Sequence, residues 1–465
     1  MDRFYIAIDM KSFYASVECV YRELDPLNAN LLVADETRSD QTICLAVSPS
    51  LKAKGVPSRP RLFEAKRAID TWEKQNRQRL SWLIAPPRMA EYERVSALIY
   101  SVLLRFAAPE DIHVYSIDES FIDCTGYLHD YTRFAEEKGL HPAHVMAMEM
   151  VRAVLHETGI TSTVGIGTNL YLAKVCMDIV AKKMPPDKDG VRIAELNEES
   201  YKYLLWDHQP LTDFWQIGPG KAKSLNKAYL FTMGDVAAKS QYDEEWFYKT
   251  FGIDGEILLA HAWGIDPVTM KDIKSYKSEG HSLSNGQVLP KPYEYAQARL
   301  VLSEMIDDIC ADMFAKSLVA GKFTWWVSYD YKSLEACPAY DGPIAIDFYG
   351  RLHPKHSNGT VKMPTDTNAV SIVSERLLSA FDANTDHRLL YRRLGICADD
   401  VHDGRAGCQL SMFIDYEALE REKRLQGALR EVRAKFGPNI VFLGKNKLDG
   451  ATQLERNQQI GGHKA

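Results

Sequence analysis

The chain has 465 residues, of which 46% are hydrophobic and 26% charged, a balance typical of a globular protein with about three domains rather than a disordered one. No apolar run approaches the roughly 20 residues of a membrane-spanning helix, and the N-terminus has no signal-peptide pattern, so we expect a cytoplasmic protein that does not bind membranes. The net charge of -7 gives no overall basic surface, so nucleic-acid binding would have to rest on local basic patches.

The first element of the chain is a predicted strand, FYIAID, that ends at Asp9. Apolar residues at helical spacing follow it, and Ser12 is a suitable cap for that helix. From about residue 21 to residue 88, short strand and helix patterns carry many lysines and arginines. This stretch indicates a small basic subdomain.

The segment VYSIDESFID, residues 114–123, places two acids between apolar flanks. Ionised carboxylates are costly to bury unless they are paired or bound to metal. Two strands of one sheet can bring Asp118 and Glu119 beside Asp9, and three converging carboxylates offer the oxygen ligands that Mg²⁺ prefers. The alternative is that Asp118 and Glu119 are solvated residues at a strand end.

The second half of the chain adds two further patterns. The segment FWQIGPGKAKSL predicts a helix-hairpin-helix element, in which Gly218 and Gly220 let the backbone approach a phosphate and Lys221 and Lys223 add charge. Residues 273–289, IKSYKSEGHSLSNGQVL, have the polar composition of a linker. Helix and strand patterns then alternate to about residue 403, which predicts a second α+β unit.

Four phrases together resemble one known family. FYIAIDMKSFYASVE, VYSIDESFID, STVGIGTNLYLAK and WQIGPGKAKSL occur in the order and approximate spacing of the Y-family, translesion-type DNA polymerases, most similarly to bacterial members of the damage response. The resemblance implies an α+β, right-hand polymerase with a palm at 1–195 that holds inserted fingers at about 21–88, a thumb at 196–270, a little finger at 276–403 and a tail at 404–465.

The resemblance also implies the activity and the site. It implies a DNA-directed DNA polymerase that adds deoxynucleotides to primer-template DNA with low fidelity during translesion synthesis and repair, using two Mg²⁺ ions. Position by position, Asp9, Asp118 and Glu119 match the family's metal-binding carboxylates, and Met10 matches the residue that lends a metal its backbone carbonyl. Tyr14 matches the steric gate that excludes a ribose 2′-OH. The alternative for Tyr14 is a helix residue facing the core.

Two lysines are implied to bind the triphosphate of the incoming dNTP. Lys52, in SPSLKAKGV, stands where many family members have arginine, while Pro49 replaces a tyrosine that contacts phosphate in many relatives. Lys182 is the expected second cation, but one extra residue after Asp178 makes Lys183 an alternative. The proline leaves one phosphate contact of the family without an equivalent.

The tail contains QLSMF, which resembles the pentapeptide that binds the bacterial sliding clamp. Gln409 would be its polar anchor, and an apolar pocket would receive Leu410, Met412 and Phe413. Residues 416–437 then predict a charged amphipathic helix. We expect a monomer that is tethered to the clamp.

Two other functions fit parts of this pattern. A catalytically silent, clamp-tethered DNA-binding scaffold is favoured by Pro49 and the acidic net charge, but the carboxylates and Tyr14 weigh against it. A different two-metal enzyme, such as a nucleotide cyclase, would leave the hairpin element and the little finger without a purpose.

Overall fold

A computed structural model describes residues 3–277, 280–404 and 415–465. The chain divides into two compact units, Met1–Lys277 (with Ala465) and Ser278–Lys464. None of the helices in the described ranges has the length and apolar character that crossing a membrane requires.

The first unit combines two sheets with helices. In chain order its elements are β1 (Tyr5–Met10), α1 (Phe13–Tyr21), β2 (Leu31–Val33), β3 (Ala46–Val47), α2 (Pro49–Ala53), α3 (Leu62–Asn76), β4 (Leu83–Ala85), α4 (Met89–Leu103), β5 (Ile112–Val114), β6 (Glu119–Asp123), α5 (Thr132–Lys138), α6 (Pro142–Thr158), β7 (Ser162–Gly167), α7 (Leu170–Val175), β8 (Arg192–Leu196), α8 (Glu198–Leu205), α9 (Pro219–Lys227), α10 (Met233–Ser240), α11 (Glu244–Phe251), α12 (Ile253–Ala262) and α13 (Met270–Ser275).

The central sheet of this unit has the strand order β5-β6-β1-β7-β8. All neighbours are antiparallel except β7 and β8. Two glycines of β7 let α7 lie directly on the sheet, since a Cβ at Gly165 would stand 2.2 Å from the Ala173 carbonyl oxygen and one at Gly167 would stand 2.3 Å from the Ala173 nitrogen. This close approach holds the segment after β7 against the middle of the sheet.

Two smaller cores complete the first unit. Strands β3-β2-β4 form a separate three-stranded sheet, whose buried side chains include Leu32, Val47 and Leu62. The helices after β8 gather around a second cluster that includes Phe214, Leu225 and Phe247. Each core buries its own apolar surface, so the basic insert and the helical region are each packed around their own side chains.

The second unit is also α+β. Its elements are β9 (Ser282–Tyr293), α14 (Tyr295–Ala315), β10 (Leu318–Tyr329), α15 (Ser333–Ala336), β11 (Ile344–Ile346), β12 (Leu352–Pro354), β13 (Ser357–Thr367), α16 (Val370–Asn384), β14 (Tyr391–Asp399), β15 (His402–Asp403), α17 (Tyr416–Phe436), α18 (Gln453–Arg456), β16 (Gln459–Ile460) and β17 (His463–Lys464).

The main sheet of the second unit has the antiparallel order β13-β10-β14-β9. Its core contains Phe323 and Trp325 from β10 and Phe381 from α16. The linker predicted for residues 273–289 is wrong at both ends, because residues 273–275 belong to α13 and the residues from Ser282 onward form the edge strand β9. Most side chains of β9 are exposed or half-buried, so its polar composition looks like a linker in sequence although its backbone pairs with β14.

The C-terminal segment packs on the second unit. The predicted amphipathic helix is confirmed as α17, Tyr416–Phe436, which buries no residue fully. Beyond it, the carboxylate of Glu304 on α14 accepts hydrogen bonds from Asn446 Nδ2 at 2.7 Å and from the backbone nitrogen of Thr452 at 2.8 Å. Glu304 is completely buried, so this segment satisfies an acid that the rest of the unit leaves in the interior.

Candidate active site

Asp9 and Glu119 face each other at the centre of the first sheet. They are direct partners in the antiparallel pairing of β1 with β6, and partners of this kind project from the same face of a sheet. Glu119 is only 8% exposed. Asp118 lies in the turn just before β6, where its carbonyl oxygen accepts from the Met10 nitrogen at 2.9 Å and its Oδ1 accepts from Ser116 Oγ at 2.8 Å.

Two lysines neutralise the facing acids. Lys174 Nζ lies 2.7 Å from Glu119 Oε1 and 2.9 Å from Asp178 Oδ2. Lys182 Nζ lies 3.3 Å from Asp9 Oδ2 and 2.8 Å from Asp178 Oδ1. Asp178 therefore bridges the two lysines and holds both of them beside the carboxylate pair.

Burial governs the protonation of these groups. It raises the pKa of Asp9 although Lys182 opposes the rise, and it raises the pKa of Glu119 against the effect of Lys174. Burial alone would also raise the pKa of Asp178, but the two lysines outweigh it and lower that pKa. The facing carboxylates thus retain a stronger demand for a proton or a cation than exposed acids have.

The helical segment after β7 explains which lysine reaches the site. Beyond α7 it continues as a π-helical turn, Cys176–Val180, and a short 3₁₀ turn, Ala181–Lys183. A π turn accommodates one more residue than an α turn, which fits the extra residue noted after Asp178. Lys182 is thereby directed at Asp9, whereas Lys183 is exposed and forms no ion pair with any described residue.

Lys52 lies at the edge of the same group. Its Nζ donates to Ser12 Oγ at 2.9 Å, and burial lowers its pKa while the charge of Asp9 opposes this change. Pro49 occupies the first turn of α2, a position where a helix needs no backbone N–H. The substitution at Pro49 is therefore compatible with the helix that carries Lys52.

Tyr14 is half-buried on α1, and one face of its ring packs against Tyr92. Its ring stacks on Tyr92 with the centroids 4.5 Å apart and the planes 19° apart. Tyr92 Oη donates to Glu18 Oε1 at 2.8 Å, and the Arg88 Nε donates to the same oxygen at 2.9 Å. Because Glu18 is completely buried, this network fixes the surface against which Tyr14 rests.

In the predicted hairpin element, Gly218 is the N-cap of α9. An added Cβ at Gly218 or Gly220 would meet no atom within 4 Å, so both glycines face open space. Lys223 is exposed, while Lys221 Nζ lies 2.9 Å from Asp254 Oδ2.

The predicted clamp-binding residues lie outside the described residues: Gln409, Leu410, Met412 and Phe413.

The carboxylates of the site contact cationic or polar side chains and not one another. Within residues 3–277, 280–404 and 415–465, no group of three or more His, Cys, Asp or Glu side chains is arranged to hold a metal ion; Lys182 contacts Asp9, Lys174 contacts Glu119 and Ser116 donates to Asp118. The donor set nevertheless suits Mg²⁺. Glu119 Oε2 accepts a hydrogen bond from Lys174 Nζ at 2.7 Å, whereas Oε1 lies equally near this ammonium group but accepts no hydrogen bond.

Sequence reasoning did not identify Lys174 and Asp178 as site residues. The available signal was the spacing of three charges, since Lys174, Asp178 and Lys182 follow one another at intervals of four in an otherwise apolar helical segment. Residues four apart share one face of a helix. Charges repeated on a face that must pack on a sheet indicate an internal ion-pair network.

Comparison with known proteins gives a consistent result. Residues 8–178 match the profile of the impB/mucB/samB family. The chain is 28% identical to DNA polymerase IV 2 of Bacillus subtilis (strain 168), over 98% of this chain and 97% of that protein, and 27% identical to DNA polymerase IV 2 of Halalkalibacterium halodurans over the full length of both.

A solved structure shares the fold. A Y-family DNA polymerase chimera superposes with a TM-score of 0.57 at 19% identity, covering 86% of this chain and 99% of the chimera. The family profile spans the strands that carry Asp9 and Glu119, and the full-length relatives extend the similarity through the second unit. By its profile over residues 8–178, by its full-length relatives and by its fold, the chain is similar to the Y-family DNA polymerases.

Proposed function

We propose that this protein is a DNA-directed DNA polymerase that adds deoxynucleotides with low fidelity during translesion synthesis and DNA repair. The observation that carries the proposal is the cross-strand pair Asp9 and Glu119, with Lys182 and Lys52 beside it. An acid pair with two lysines beside it suits a substrate with a triphosphate, because the lysines can bind its phosphates. Names of full-length relatives support the same activity.

Similarity to the Y-family polymerases implies dependence on a divalent metal, and we infer two Mg²⁺ ions. Asp9, Asp118, Glu119 and the Met10 carbonyl would hold them. When bound, such ions activate the attacking oxygen and stabilise charge on the leaving group in phosphoryl transfer. Glu119 Oε1, which accepts no hydrogen bond although Lys174 Nζ lies 2.7 Å away, would be one of the oxygens that bind a metal.

The chain's own residues would bind and select the nucleotide. Lys182 and Lys52 would contact the triphosphate, and Asp178 would keep Lys182 in reach of it. Pro49 has no hydroxyl or N–H to donate, so the lysines must supply more of this grip. Tyr14, supported by its stack on Tyr92, would leave no room for a ribose 2′-OH.

DNA contacts would come from other parts of the chain. We assign the palm to 1–195 with fingers at about 21–88, the thumb to 196–270, the little finger to 276–403 and the tail to 404–465. In the thumb, the open backbone at Gly218 and Gly220 and the charges of Lys221 and Lys223 would hold DNA phosphates without reading sequence. Lys221 must then exchange its contact with Asp254 for a phosphate.

Glu119→Gln tests the activity directly. The amide keeps the size of the side chain but removes its charge, so primer extension on undamaged template with Mg²⁺ should fall by about 100-fold or more. Primer-template affinity, measured by fluorescence anisotropy, should stay unchanged. Glu91→Gln, an acid paired with Arg94 on α4, is the matched control. Extension by Glu119→Gln at the rate of this control would contradict the assignment.

The tail supplies a second test. If QLSMF binds the sliding clamp, Leu410→Ala with Phe413→Ala should abolish stimulation by a loaded clamp, because buried apolar side chains carry most of such a contact. Extension without the clamp should not change, since tethering raises local concentration and adds no DNA contact. Full stimulation of the double variant would assign the pentapeptide no role.

A further inference from the structure

The hairpin element and the acidic turn are joined by one contact between aromatic residues. Trp215 stands directly before the hairpin, and Tyr115 stands directly before the turn that carries Asp118. Trp215 Nε1 donates to Tyr115 Oη at 3.1 Å, and the ring centroids are 6.0 Å apart with the planes at 80°. The contact bridges segments that are 100 residues apart in the chain.

Tyr115 is coupled to Glu119 by two separate routes. Its backbone nitrogen donates to the Glu119 carbonyl oxygen at 3.0 Å. Its ring lies under the ammonium group of Lys174, whose Nζ is 5.7 Å from the ring centroid and 2.7 Å from the Glu119 carboxylate. A displacement of Tyr115 therefore reaches Glu119 through both its backbone and its side chain.

Trp215 also packs against aromatic residues other than Tyr115. Its ring lies parallel to His261 at 6.3 Å and 14°, and His261 in turn stacks on Tyr171 at 3.9 Å. The next residue, Gln216, has a φ of 66°, a left-handed conformation that a side-chain-bearing residue adopts only at a cost. This strained residue lies between Trp215 and Gly218, where the chain enters the hairpin.

We propose that the Tyr115–Trp215 contact is a joint that sets the position of the hairpin relative to the carboxylates. This proposal rests on the polymerase function proposed above, in which the hairpin holds DNA and the carboxylates serve the reaction. Packing alone would let two rings slide, whereas the hydrogen bond fixes their direction as well. Tyr115 and Trp215 are thus positioning residues, which align the primer end without touching it.

Two conservative variants test the joint. Tyr115→Phe keeps the ring and removes the hydroxyl, and Trp215→Phe removes the indole N–H. Each should slow single-turnover nucleotide addition about threefold to tenfold, the effect of one lost hydrogen bond, with primer-template affinity unchanged. The double variant should be no slower than Trp215→Phe alone, because the hydroxyl of Tyr115 has already lost this bond in that variant. Tyr203→Phe, at an exposed tyrosine of α8, is the control.

Hydrogen exchange supplies a readout that does not depend on activity. Trp215→Phe should accelerate exchange at the amides of Tyr115 and Ser116, which both bond to the Glu119 carbonyl. The proposal would be wrong if the two substitutions slowed nucleotide addition additively in the double variant. It would also be wrong if the Tyr115 amide of Trp215→Phe exchanged at the wild-type rate. A wild-type protein that extends no primer would refute the polymerase function instead, and the exchange measurement would still decide whether the joint exists.

Discussion

Asn446→Ala should destabilise the second unit, because it removes a donor from a carboxylate without access to water. Glu304 is completely buried on α14. Its carboxylate accepts from Asn446 Nδ2 at 2.7 Å and from the backbone nitrogens of Thr452 and Gln453 at 2.8 and 3.2 Å. The alanine variant keeps the backbone donors, which bond Glu304 Oε2. It removes the amide donor of Oε1 and puts no other donor in its place.

The size of the effect follows from the charge. A hydrogen bond to a charged group contributes roughly 1.5–3 kcal/mol. Because two backbone donors remain on Glu304, the lower part of that range is expected, about 1.5–2 kcal/mol, which corresponds to roughly a tenfold to thirtyfold larger population of the opened state. Neighbouring ion pairs, such as that of Lys445 with Asp307 at 2.7 Å, should persist in the variant.

Native-state hydrogen exchange on the full chain measures this change locally. The amides of α14, Tyr295–Ala315, should exchange about tenfold to thirtyfold faster in Asn446→Ala, while those of β1 in the first unit should not change. Gln458→Ala, at an exposed residue of the same segment, is the control. An Asn446→Ala variant that matches this control would show that α14 does not depend on the C-terminal segment.

Two further predictions concern the nucleotide and pH. Tyr14→Ala should incorporate ribonucleotides much more readily, while Tyr14→Phe, which retains the ring, should exclude them; equal discrimination in both variants would place the gate at another residue. Burial raises the pKa of Asp308 from 3.8 to about 6, so stability falls as the pH rises from the lower value to the higher one, because the unfolded chain loses this proton first. Asp308→Asn should therefore raise the melting temperature at pH 7 by more than at pH 4, and an equal gain at both values would contradict the buried charge.

The principal elements of the site could be predicted because their signals are local. An alternation of apolar residues ends at Asp9, and apolar flanks enclose Glu119, so the sequence predicts two buried strands that carry acids. The antiparallel register that makes these residues direct partners could not be predicted from either strand alone. It depends on pairing between segments more than a hundred residues apart, which only the assembled sheet fixes.

Two features were hidden because tertiary packing decides them. β9 pairs with β14 through its backbone, and its exposed polar side chains carry little of the strand signal. The packing of the C-terminal segment depends on hydrogen bonds between single residues, such as Asn446 and Glu304, which have no periodic pattern. A polar interface of this kind produces no pattern in the hydropathy of the sequence.

The network around Asp178 suggests how a triphosphate could enter a site that is already neutralised. Lys182 is 2.8 Å from Asp178 but 3.3 Å from Asp9, so the contact with Asp9 is the longer one. An incoming phosphate would compete for that longer contact, while Asp178 keeps the lysine on its helical segment. Asp9 Oδ2 would then lose its contact with Lys182, and this oxygen would be available to a divalent cation. Lys174, held between Glu119 and Asp178 and largely buried, has no such freedom and would stabilise Glu119 throughout.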